Sequence, residues 1–179
     1  MADLALPPSL MPLPKPDNSL VGSSGVHFVC GELSRRGYIA LPTIRNTSGV
    51  DIIIKTPKGE KIELQVKTSW SVDEWFCPPE EKILPKPDFF FVFVNLKNGV
   101  NNPQYYIVPS KVVKEQVELG FKAWKETPGR NGIEHSKENR MRKFPASEKL
   151  FKFEAFKKYL GTPLNLNQYK AWNFSSVCE

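Results

Sequence analysis

Residues that announce a specialised chemistry are scarce in this chain. Its 179 residues include three cysteines and two histidines. Cys30, Cys77 and Cys178 are odd in number and far apart, a usage that fits neither a disulfide framework nor a CxxC zinc site. A reducing cytoplasm is the compartment it predicts. His135 stands in a polar stretch without spaced partners and reads as solvent-exposed. No run approaches the roughly 18 apolar residues that a membrane span needs, so no membrane partner is expected. No basic segment leads into an apolar core and a small-residue cleavage site near the N-terminus, so secretion is not expected either. No internal repeat is present.

What remains is the composition of an ordinary globular protein, with 40% hydrophobic and 25% charged residues. The length suits one domain with a sizeable core. Twenty-five basic against nineteen acidic residues leave a net charge of +6. The isoelectric point is near 9.2. Such an excess favours a polyanionic partner such as nucleic acid, although plain basic proteins also reach it.

Pro7, Pro8, Pro12, Pro14 and Pro16 make residues 1–17 an extended arm, because proline removes the donors that helices and ladders need. Asp17, Asn18 and Ser19 offer N-caps for a helix over residues 20–36, with Val21, Gly25, Val29 and Leu33 on one face and Gly37 as its stop. Residues 38–41 are short and β-compatible. Residues 50–55 read as a buried strand, and Pro57-Lys58-Gly59-Glu60 as a turn. Ile62, Leu64 and Val66 then alternate with Glu63, Gln65 and Lys67, which completes a hairpin with one apolar and one polar face. Residues 70–87, with four prolines, form an irregular excursion. The run at 89–95 (FFFVFVN) is a central strand covered on both faces. A strand at 105–108, a helix from Ser110 to about Trp124, a basic loop over 126–146 and a helix over 146–160 follow. A tail of low signal covers 161–179. Residues 18–160 are therefore one domain of the α/β class, its mostly antiparallel or mixed sheet flanked by helices.

The hairpin carries the chemistry. Its turn brings Asp51, at the start of one strand, to the end of the sheet where Gln65 and Lys67 stand on the next, both on one face. A carboxylate, a second oxygen donor and an ammonium within a few ångströms suit a divalent metal beside a phosphate. The bland alternative is a solvated hairpin face with Asp51 capping a turn.

Residues 31–68 (GELSRRGYIALPTIRNTSGVDIIIKTPKGEKIELQVKT), and more loosely DFFFVFVNL and YYIVPS, resemble the PD-(D/E)xK nuclease superfamily with its restriction-endonuclease-like fold, in the Holliday-junction-resolvase-like branch. The resemblance implies an α-β-β-β-α-β core with a central mixed sheet, a DNA substrate, and cleavage of phosphodiester bonds with Mg²⁺ or Mn²⁺. It places Asp51 at the metal-binding aspartate, Gln65 at the second ligand, Val66 at the backbone carbonyl ligand and Lys67 at the catalytic lysine. Two positions depart from the pattern. Val26 stands near the acid of the first helix, and Gln65 replaces a carboxylate. Asp51 is then the one sure anionic ligand, and a weakly held metal is expected. The alternative reading is a catalytically inactive nuclease-fold module that binds DNA or a protein.

Other candidates are read less sharply. Glu32 with Arg35 and Arg36 has the spacing of a surface ion-pair cluster, while Arg35, Arg36 and Arg45 are also candidate phosphate contacts. Arg140, Arg142 and Lys143 in the basic loop are candidate DNA contacts too, and a solvated insertion would look the same. Trp70 and Trp75 could stack on bases but read better as lids of the core. The oligomeric state is open, a homodimer included.

Overall fold

The computed structural model describes residues 13–44, 49–56, 59–72, 74–129 and 141–144. The arm before Leu13, Arg45, the centre of the basic loop with Arg140 and His135, the expected helix at 146–160 and the tail lie outside the described residues.

Helix α1 spans Asn18–Ser34 and buries Val21, Gly25, Val29 and Leu33, the face the i, i+4 spacing predicts. It starts from the Asp17 carbonyl, which accepts the Val21 N–H at 3.0 Å, with no side-chain cap bond. It ends in a Schellman turn: Gly37, at φ +84°, bonds back to Ser34, and Tyr38 N–H reaches Leu33 O at 3.2 Å. The chain then forms β1 (Ile39–Pro42), β2 (Ile52–Lys55) and β3 (Lys61–Ser69), an antiparallel meander. After the short strand β4 (Trp75–Cys77) come β5 (Phe89–Asn95), β6 (Gln104–Pro109), α2 (Ser110–Glu126) and β7 (Arg142–Phe144).

Five strands form one sheet in the order β1-β2-β3-β5-β6. Only the β3–β5 pair is parallel, so the sheet is mixed. The crossover between these two strands carries β4 and a 3₁₀ turn at Glu80–Lys82, and α2 follows β6. β4 and β7 make a separate two-stranded ribbon. Part of the stretch expected to be a basic loop is thus a strand.

The two faces of the sheet are closed differently. On one, α1 lies directly on β3: a Cβ on Gly25 would overlap the Thr68 side chain, so the helix backbone rests on the strand. Leu64 and Val66 share that face with Thr68. On the other, the ribbon packs through Trp75 and Phe144. The Trp75 ring is 5.1 Å from Phe93 and 5.5 Å from Tyr106, and Phe144 stacks on Phe93 at 4.2 Å. Helix α2 covers the neighbouring part of this face and touches β7. Between the two layers every residue of β5 is buried, as its uninterrupted apolar run predicts.

Candidate active site

Asp51 immediately precedes β2 and is held by three hydrogen bonds. Its N–H donates to Leu64 O at 2.8 Å and its carbonyl accepts from Thr43 N–H at 2.9 Å. Its Oδ2 accepts the Val66 N–H at 2.7 Å. The carboxylate is therefore turned onto the edge of β3, where the ladder with β2 has ended. In an extended strand the N–H and C=O of one residue point to the same edge. A carboxylate that caps the Val66 amide thus lies on the edge to which the Val66 carbonyl points.

Gln65 and Lys67 flank this point. They lie side by side with Phe91 and Phe93 in the parallel ladder and share their face. The Val66 side chain points the other way, into the core under α1. The Gln65 side chain makes no hydrogen bond, and Lys67 no ion pair, among the described residues. Lys67 is half-buried. Its charge is felt by Cys77 on β4: burial pushes that thiol up to about 12, and the ammonium opposes the push. Cys77 is thus a protonated, packed thiol.

The donor set is one carboxylate, one amide oxygen and one backbone carbonyl. Hard oxygens are what Mg²⁺ or Mn²⁺ takes, and a single formal charge makes the grip weak unless waters and phosphate complete the shell. Helix α1 adds no acid. Val26 packs against the core, and Glu32 is engaged elsewhere. Among the described residues no three His, Cys, Asp or Glu side chains cluster in a way that could hold a metal.

Glu32 accepts bonds from Arg35 Nη2 at 2.8 Å and Arg36 Nη2 at 2.7 Å. Hydrogen bonding from Arg35 is the largest effect on the Glu32 carboxyl; burial opposes it, and with the smaller pull of Arg36 added the carboxyl is held below its usual range. The Glu32 cluster is the ion-pair group its spacing predicts, and both arginines are engaged within it. Arg142 is 7% exposed, bonded to Glu80 Oε2 at 2.7 Å and stacked over Phe121 at 3.4 Å. Its partners are internal. Lys143, on the outer side of β7, pairs with Glu74 at 2.8 Å and stays exposed. Trp75 is the lid the sequence suggests, donating from Nε1 to Val94 O at 2.9 Å.

Two contributors had no sequence signal of their own. Thr43 binds both sides of the loop before β2, donating from Oγ1 to Val50 O at 2.5 Å as well as from its amide to Asp51. The β4–β7 ribbon is the other, since it walls the face on which Lys67 lies.

No protein-family model matches the chain. No curated protein matches it. Among solved structures, the bacterial homing endonuclease I-Ssp6803I is similar in chain path, with a TM-score of 0.43 and 13% identity over 56% of this chain and 74% of that one.

Proposed function

We propose that this protein is a metal-dependent endonuclease that hydrolyses phosphodiester bonds in DNA, with its site at Asp51, Gln65, Val66 and Lys67. The observation that carries the reading is the 2.7 Å bond from Val66 N–H to Asp51 Oδ2, which sets a carboxylate beside Gln65 and Lys67 on one stretch of strand. Asp51, Gln65 and the Val66 carbonyl would hold the divalent ion, Mg²⁺ or Mn²⁺. When bound, that ion supplies charge neutralisation at the phosphate and acidifies a coordinated water. Lys67 would donate hydrogen bonds to the attacking water or to a phosphate oxygen and balance charge as it builds on phosphorus. The water would give up a proton to solvent as its oxygen bonds to phosphorus, one ester P–O bond would break, and the departing oxygen would take up a proton from solvent. Lys143 and Arg35 at the surface, together with Arg36, Arg45 and Arg140, would contribute phosphate contacts. Arg142 supports the fold.

A second reading is favoured by the donor set itself. With one carboxylate, the same surface could bind DNA without cutting it. The two separate on incubation of the protein with duplex and branched DNA in Mn²⁺. The endonuclease reading expects slow cleavage that Asp51→Asn and Lys67→Ala abolish while DNA binding persists. Cleavage equal in the parent and both variants, or absent in all three, would remove it.

A further inference from the structure

Ile44 has the most exposed large apolar side chain among the described residues, at 85%. Single exposed apolar residues are common and need no explanation by themselves. Its position does. Ile44 follows Thr43, whose amide and hydroxyl are bonded to Asp51 O at 2.9 Å and Val50 O at 2.5 Å. It also follows Pro42, whose ring fixes the backbone at the end of β1. The base of this loop is therefore held against the backbone of Asp51, whose side chain is the candidate catalytic carboxylate. Hydrogen-bonded partners across an antiparallel pair have Cα atoms about 5.5 Å apart, and the next Cα is about 3.8 Å further, so Ile44 Cα lies within about 9 Å of Asp51 Cα.

Base steps in a duplex are about 3.4 Å apart. DNA whose scissile phosphate reaches Asp51 would therefore run within about three such steps of the Ile44 backbone. An sp³ side chain with no charge and no donor has nothing to offer a phosphate. It can offer apolar contact to sugars and base faces, which is how apolar wedges work when they enter a base step and unstack it.

We infer that Ile44 is a wedge that enters the base stack beside the scissile phosphate, so that the protein prefers DNA whose stacking is already weakened, such as mismatched or branched duplex. The inference rests on the endonuclease reading of Asp51 and Lys67. It makes Ile44 a determinant of substrate choice, with no part in the chemical step.

The test is made in EDTA, so that binding is read apart from cleavage. The full chain is titrated at fixed salt into two duplexes of one sequence, intact or with a single mismatch, each carrying 2-aminopurine at the step in question. The parent should bind the mismatched duplex about tenfold tighter or more, since part of the unstacking is already done, and the fluorophore should brighten several-fold. Ile44→Ala should keep its melting temperature yet bring the affinity ratio close to one and leave the fluorophore dark. Ile44→Leu should restore both signals. Equal ratios in the parent and Ile44→Ala overturn the wedge. So does sedimentation showing that Ile44→Ala turns a dimer into a monomer, which would assign the side chain to a second copy of the chain. Mismatch preference without cleavage in Mn²⁺ keeps the wedge and removes the nuclease reading. Cleavage without preference does the reverse, and absence of salt-sensitive DNA binding removes both.

Discussion

At the scale of single residues, charge in the sequence says little about where a side chain ends. Arg142 belongs to a run of basic residues that reads as solvent-facing, yet it is buried between Glu80 and the Phe121 ring. Its anionic partner lies 62 positions away, a pairing that no local pattern can reveal. Asp51 is the opposite case. Its role as a β3 partner follows from a turn four residues long and a period of two, both visible in the sequence. Breaking a buried pair leaves one charge uncompensated, so Arg142→Ala should lower unfolding free energy by about 3 kcal/mol, read by urea denaturation. DNA affinity per folded molecule should stay unchanged. A loss of affinity with no loss of stability would make Arg142 a phosphate contact instead. The same variant carries a pH signature. Burial pushes the Glu80 carboxyl up, but the bond from Arg142 and a backbone bond outweigh it, and the net shift is downward. A carboxyl lowered in the folded state adds stability above its unfolded pKa of about 4.3, and that stability is lost as pH falls through the lower folded value. The stability of the parent should therefore fall more steeply below about pH 4.3 than that of Arg142→Ala.

At the scale of elements, periodicity was legible wherever an element is long or alternates cleanly. α1, β5 and α2 stand close to their expected spans, and the hairpin of β2 and β3 pairs as its alternation requires. β4 and β7 escaped because three-residue strands show too little period to read. Moreover β4 finds its partner only in β7, at the far end of the described chain. These short strands nevertheless close one face of the sheet. Phe144 is fully buried and stacks on Phe93, so Phe144→Ala should cost about 3 to 5 kcal/mol, a core-sized loss from a strand of three residues. A cost below about 1 kcal/mol would mean that the ribbon is not part of the core. On the opposite face, Gly25→Val should destabilise strongly, because the new side chain has Thr68 in its place. Gly31→Ala, where a Cβ meets nothing within 4 Å, should gain a few tenths to about 1 kcal/mol from helix propensity. Equal melting temperatures for the two variants would contradict the close approach of α1 to β3.

At the scale of the whole molecule, the chain carries an excess of six positive charges, and its fold sets one half-buried carboxylate at the end of a hairpin. The central claim is that Asp51, Gln65 and the Val66 carbonyl surround a place for a divalent cation that is weak because Gln65 carries no charge. The direct measurement is a Mn²⁺ titration by calorimetry, with duplex DNA present, of the parent, Asp51→Asn and Gln65→Glu. A second carboxylate about 4 Å from the ion, at an effective dielectric of about 20, is worth several kcal/mol before desolvation is subtracted, and about 1.4 kcal/mol remaining is tenfold in affinity. Gln65→Glu should therefore bind Mn²⁺ about tenfold tighter or more than the parent, and Asp51→Asn should show no binding at this site. Equal Mn²⁺ affinity in all three proteins would mean that these residues do not surround a metal site.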